Sequence, residues 1–341
     1  MRSSPVLESM QKQAIFQNTE ISQPKRFKLA VHRTVEASLS WKHNSRVDHS
    51  QSRMGKKLSD LEAWIRSEIS RFIRDSPKNT LGNQENDRAW EEPLVGFSSG
   101  NDALYEFYKR DIAGFYLAPL EIFTRAFTDT NIDASQLTVV SWILPHNEKT
   151  KSDNRQQTVY PSERWARARI FGERVNDKLR SHVVTSLQNR GFKAVAPVLS
   201  PIWKVSDNSR YGRASNWSER HAAYASGLGT FGLCDGLITQ KGKAMRCGSA
   251  VTNMKLQPTE RPYDTHHAYC LFFSHRTCGR CIQRCPVDAI GTSGHDKSKC
   301  KNHLQKTRVF VKQNYGFEGY GCGMCQTGVP CESKIPTLAD L

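Results

Sequence analysis

No run of about 18 consecutive apolar residues occurs in this 341-residue chain, so nothing in it reads as a transmembrane helix. Residues 1–11 lack the apolar centre of a secretory signal, and no twin-arginine signal is present. A cytoplasmic chain with no membrane contact is the expectation. The triple-cysteine pattern C-x3-C-x2-C is missing, which removes radical S-adenosylmethionine chemistry. No internal repeat is visible beyond two groups of cysteines. Acidic residues are in short supply, 33 Asp and Glu against 49 Lys and Arg, for a formal net charge of +16. Such an excess admits nucleic acid, an acidic partner or an anionic substrate. The cations are dispersed rather than gathered in a run, which favours a role in solubility and in offsetting bound anionic groups.

At this length the chain can bury a sizeable core, as one large domain and a smaller one. Residues 1–53 are polar, with nine Lys and Arg against four Asp and Glu and no sustained period. They are expected to form a disordered basic tail. Met54 is a candidate start of translation, because ordered patterning follows it. A capping box, Ser59-Asp60-Leu61-Glu62, precedes Leu61, Trp64, Ile65, Ile69, Phe72 and Ile73 at helical spacing. Residues 105–127 are aromatic-rich and helical in parts. Residues 137–144 (LTVVSWIL) read as a buried strand. Pro161-Ser162-Glu163 opens a long helix on which Phe171, Val175, Leu179, Val183 and Leu187 step by four, ending at Gly191. Residues 192–199 (FKAVAPVL) read as a second strand. This strand–helix–strand order suggests an α/β or α+β domain over 54–260. Residues 233–239 and 244–252 read as a hairpin around Lys241-Gly242.

Of ten cysteines, eight fall between Cys270 and Cys331, in a chain with no sign of export. The first group is Cys270-x7-Cys278-x2-Cys281-x3-Cys285-Pro286. The second is Cys300, then Cys322-x2-Cys325-x5-Cys331. Bacterial ferredoxins use C-x2-C-x2-C-x3-C-P, with the fourth cysteine ligating the other cluster. Cys278, Cys281, Cys285 and Pro286 match the end of that run, the first cysteine is displaced to Cys270, and His275 holds its usual place. Crossed ligation then assigns Cys270, Cys278, Cys281 and Cys331 to one [4Fe–4S] cluster. Cys300, Cys322, Cys325 and Cys285 go to the other, and 261–341 becomes a ferredoxin-like double-cluster domain. His275 in place of Cys270, and structural zinc in place of iron, remain open at this point. Cys234 and Cys247 stand apart and read as buried small hydrophobes.

Upstream, Gly227, Gly229 and Gly232 form a lone G-x-G-x-x-G. It follows a helix instead of a strand, which speaks against a Rossmann site. The order Glu219, Gly227-Leu228-Gly229, Gly232, Leu237-Ile238-Thr239, Gly248-Ser249 and Thr252, followed by the Cys-Pro cysteine groups, resembles epoxyqueuosine reductases and corrinoid-dependent reductive dehalogenases. The resemblance covers roughly residues 150–331. It implies a cobalamin-type corrinoid between the α/β part and the clusters, held by Gly227, Gly229, Gly232, Ser249 and Thr252. It also implies a low-potential electron donor such as a ferredoxin or flavodoxin, and a small-molecule or nucleoside substrate. At the place of an acidic residue of the reductases stands Arg213.

Reductive cleavage needs a proton, for which Tyr211, His221 and Tyr224 are candidates, with Arg213 tuning a tyrosine or holding an anion. The plainer readings are a packing tyrosine, a core histidine and a surface arginine. Three functions follow: a corrinoid- and iron–sulfur-dependent reductase, a tRNA epoxyqueuosine reductase with the basic tail on phosphates, or an electron carrier without corrinoid.

Overall fold

The computed structural model describes residues 49–341, which form one compact unit. The expectation of a disordered tail falls mostly on residues outside this range. The first helix, α1, runs His49–Asp75. Ser59 therefore lies inside the helix and caps nothing, a correction to the capping-box reading.

Strands β1 (Leu94–Ser99), β2 (Thr138–Pro145), β3 (Ala194–Val195) and β8 (Met245–Thr252) form a four-stranded sheet in the order β1-β2-β8-β3. Every pairing is antiparallel. Since β2 and β3 both oppose β8, they run parallel to each other with β8 between them. The chain passes from β2 to β3 through α4 (Glu148–Arg155), α5 (Glu163–Arg167) and α6 (Glu173–Asn189). The strand–helix–strand unit is present, but the inserted strand makes the sheet antiparallel and the fold a mixed α and β one of the α+β kind.

All eight β2 residues are buried, and the alternation of a strand divides them between two faces. Val140, Trp142 and Leu144 pack with Ile65, Ile69 and Ile73 of α1 and Val175, Leu179, Val183 and Leu187 of α6. Val139 joins the opposite core, shared with α2 (Ala103–Asp111) and α3 (Pro119–Ala126). Gly248 of β8 is required there: a Cβ would lie 2.3 Å from the Trp142 indole.

The long helix over 163–189 is one run with a π turn at Ala168–Gly172. A π turn inserts one residue and re-aims the following face. Its Gly172 carbonyl accepts from Trp90 Nε1 at 2.9 Å.

Two strand readings are corrected. Of residues 192–199 only Ala194–Val195 pair, because Pro197 opens a 3₁₀ turn, Pro197–Leu199, and lacks the N–H a ladder needs. The hairpin expected over 233–252 is instead β6 (Gly229–Phe231) with β7 (Leu237–Thr239). Its partner segment, β8, is drawn into the main sheet, where eight paired positions against β2 outweigh a local turn. At Lys241-Gly242 only an isolated bridge, Thr239 to Gly242, remains. Strands β4 (Val205–Ser209) and β5 (Gly212–Ser215) make a small exposed ribbon, and α7 (Glu219–Ala225) follows it.

The segment expected as a separate C-terminal domain is sewn to α4 and α5. Arg284 donates to the carbonyls of Asn154 and Gln157. Asn154 donates to Cys322 O at 3.2 Å, and Arg155 pairs with the buried Glu332 at 2.9 Å. No described helix is long and apolar enough to cross a membrane.

Candidate functional site

The cysteine-bearing segment is built from short pieces. Cys270 precedes α8 (Leu271–Ser274), and Cys281 lies on α9 (Arg280–Gln283). Cys278 sits between them at φ +67, followed by Gly279 at φ +130. A non-glycine residue in that region is strained, and such strain gathers at ligand-holding turns. A two-stranded ribbon, β9 (Ile290–Gly291) with β10 (Gly294–His295), then leads into α10 (Lys297–Tyr315). Cys300 lies in the first turn of α10, whose N-cap Asp296 accepts from Ser298 and Lys299 N–H groups.

All ten cysteines are free thiols. Among the described residues, no three His, Cys, Asp or Glu side chains converge as ligands of one ion. The sulfurs stand around a space instead. One small cavity, of about 20 Å³, is lined by Cys270, Cys278 and Cys281 of the first group and by Cys331 of the second. Apart from Lys243, its other walls are largely apolar, including Leu233, Ile238, Phe272 and Val329. His275 is exposed, bonded to Ser274 Oγ at 2.8 Å, and does not line this cavity. Of the remaining four, Cys322 is largely buried, which pushes its thiol up to about 11. Cys285 Sγ accepts from Ala289 N–H at 3.2 Å. The four cysteines on this cavity are those that crossed ligation assigns to one cluster, with Cys331 drawn from the second sequence group. Four thiols on one small space are the donor set that an iron–sulfur cubane takes.

No family model and no curated protein matches this chain. Solved structures do. A selenomethionine-labelled epoxyqueuosine reductase is 15% identical over 82% of this chain and 70% of its own, with a TM-score of 0.45. Epoxyqueuosine reductase from Bacillus subtilis is 16% identical over 72% of this chain and 63% of its own, TM-score 0.42. A catabolic reductive dehalogenase is 14% identical over 72% of this chain, TM-score 0.43, and this chain spans 31% of its length. They are the same two kinds of protein that the motifs resemble.

Two residues that local pattern did not mark meet the cysteines. Cys234 is buried in one packed cluster with Cys281 and Cys325. Lys243 is 2% exposed, and its Nζ lies 3.3 Å from Cys234 Sγ. Burial works against the Lys243 ammonium. The sulfurs of Cys234, Cys331, Cys325 and Cys281 more than offset this and hold its pKa above the usual lysine range. A surplus cysteine was the sole signal for this pair in the sequence.

The proposed proton donors fall into two places. His221 and Tyr224 share α7 and both pack on Phe231. Burial pushes His221 down to about 3, so its ring is neutral, and Nδ1 meets Ser218 Oγ at 2.8 Å. Burial raises Tyr224, which stacks on Tyr263. Tyr211 and Arg213 stand on the exposed β4–β5 ribbon. Tyr211 donates to Asp111 at 3.0 Å, and Arg213 pairs with Asp207 at 3.0 Å.

One buried carboxyl that the motif order contained was not assigned a role. Glu219, at the start of α7, is raised to about 7, chiefly by burial. Arg180 Nε is 3.3 Å away, yet neither Glu219 oxygen has a donor in hydrogen-bond geometry. Arg180 is held by Glu173 at 3.0 Å and Asp177 at 2.6 Å.

The five expected corrinoid contacts are spent inside the fold. Ser249 and Thr252 are fully buried; Ser249 Oγ accepts from Trp217 Nε1 at 3.0 Å, and Thr252 donates to Lys193 O at 2.9 Å. A Cβ at Gly227 or Gly229 would meet backbone carbonyls at 2.4 and 2.2 Å, and Gly232 abuts Ile238. These glycines serve close chain packing. The Ser249 and Thr252 hydroxyls therefore already have partners within the fold.

Proposed function

We propose that this chain is an oxidoreductase that carries two [4Fe–4S] clusters and passes electrons from a low-potential donor, of ferredoxin or flavodoxin type, to a small-molecule or nucleoside substrate. One observation carries the reading: cysteines from both sequence groups, Cys270, Cys278, Cys281 and Cys331, line a single cavity. A pair of independent four-cysteine sites has no need of that exchange.

Bound clusters of this kind supply single electrons at low potential. The chain's own residues do the rest. Eight thiolates hold the iron, and the Ala289 N–H donates to Cys285 Sγ, the kind of contact that tunes a cluster. Leu233, Ile238, Phe272 and Val329 keep water from the first set. Glu219, with a pKa of about 7, is the residue best suited to hold the proton a reduction consumes. Its helix is tied toward the cysteine region, because Arg220 donates to the Asp235 carbonyl, next to Cys234.

A cobalamin-type corrinoid, the remaining part of the resemblance, finds its five expected contacts engaged, and no step here depends on it. Anaerobic purification from cells supplied with cobalamin tests both points. The expected result is a dithionite-bleachable absorption near the iron–sulfur region, a magnetically coupled pair in the EPR spectrum, and no stoichiometric cob(II)alamin signal. A full cobalamin signal restores the corrinoid, and an absent iron–sulfur signal removes the proposed function.

A further inference from the structure

We propose that Lys243 is a built-in counter-ion for the two clusters, seated with Cys234 where the two cysteine sets meet, and that its charge raises the reduction potential of the cluster held by Cys270, Cys278, Cys281 and Cys331. The inference rests on the iron–sulfur reading and deepens it.

A buried ammonium is costly unless an anion answers it. Among the described residues, no carboxylate forms an ion pair with Lys243; its side-chain hydrogen bond is to the Cys234 sulfur at 3.3 Å. Its side chain lines the cavity that the four cysteines surround. Cys234 in turn packs in one cluster with Cys281 of one set and Cys325 of the other, with its Sγ 3.9 Å from Cys325 O.

The chain is arranged to keep this cation in place. Lys243 N donates to Cys331 O at 2.8 Å and to Glu332 O at 3.0 Å, which ties the lysine backbone to a ligand-type cysteine. Its stem runs beside Gly236, where a Cβ would meet Lys243 Cδ at 2.7 Å. The preceding Gly242, at φ +77, brings its Cα against Glu332, where a Cβ would lie 2.1 Å from the carbonyl oxygen. Two glycines are needed to seat one lysine.

A cluster ligated by four thiolates is anionic and gains a further negative charge on reduction. A fixed neighbouring cation stabilises the reduced form more than the oxidised form, so it raises the potential.

The test uses the full chain, purified anaerobically, with iron counted and midpoints measured by dithionite titration under EPR. Lys243→Met removes the charge and keeps most of the stem; Lys243→Arg keeps the charge. Lys243→Met is expected to keep its iron while one midpoint falls by at least tenfold in the reduction equilibrium, about 59 mV for one electron. Lys243→Arg is expected to stay near the parent. Full iron with unmoved midpoints in Lys243→Met overturns the inference and leaves the iron–sulfur reading standing. If Lys243→Met loses iron, Lys243→Arg decides: retained iron supports the counter-ion, and loss in both overturns it. Zinc, or no iron, in the parent protein overturns both readings together.

Discussion

Strand β2 buries every one of its eight residues between two helical layers, whereas in residues 261–341 α8, which follows Cys270, and α9, which carries Cys281, are helices of four residues each. The sheet is held by apolar area, with Trp142, Ile143 and Leu144 fully buried, each worth about 1.5–3 kcal/mol of transfer free energy. The cysteine segment is held by turns, by Arg284 and Asn154 reaching carbonyls, and by sulfurs gathered round a cavity. A helix of one turn has little stability of its own. The sheet thus draws its stability from apolar packing, while the cysteine loops depend on what the thiols bind.

The largest expected effect sharpens that contrast. Cys331→Ser removes a ligand of the first set although Cys331 lies in the second sequence group. Iron is expected to fall from about eight to about four per chain. Amide exchange is expected to speed in residues 261–341 and to stay slow in β2 and β8. Uniform loss of protection across the sheet breaks the contrast.

Two glycine substitutions compare the regions directly. Gly248→Ala sets a Cβ 2.3 Å from Trp142, and Gly323→Ala, at φ +74, sets one 2.0 Å from Trp165. Each is expected to cost about 3 kcal/mol, read by urea denaturation. Gly323→Ala is also expected to lower iron retention at denaturant levels where the sheet is intact, and Gly248→Ala is not. Equal iron loss in both removes the distinction.

A smaller effect concerns pH. The Glu219 carboxyl holds its proton up to about pH 7 in the folded chain, against an ordinary value of 4.5. The native state then binds more protons than the unfolded one, so stability falls as pH rises from about 4.5 to about 7 and levels off above. Glu219→Gln stays neutral and is expected to flatten that slope, since Arg180 keeps Glu173 and Asp177. An unchanged slope in the variant shows that another group sets it.

The smallest expected change is at the exposed ribbon. Tyr211→Phe removes a contact to Asp111 at 47% exposure and is expected to alter stability by less than about 0.5 kcal/mol.

What could be read in the chain follows the same division. The apolar run of β2, the four-step face of α6 and the cysteine spacing are local patterns, and local patterns survive folding. The insertion of β8 between β2 and β3 is a long-range pairing that no window contains, so the expected hairpin gave way to β6–β7. Lys243 and Cys234 carry no spacing signal of their own; their meeting is made by Gly236, Gly242 and the strand that follows. Glu219 was visible as a motif letter, but its raised pKa comes from burial beside Arg180, far away along the chain. Ser249 and Thr252 looked free to bind because a hydroxyl in a sequence does not show that Trp217 and Lys193 already engage it.

The central claim is that the two cysteine groups interlock around iron. Elemental and acid-labile sulfide analysis of the anaerobically purified chain tests it most directly. About eight irons and eight sulfides per chain are expected. Zinc without sulfide, or about four irons, contradicts the account.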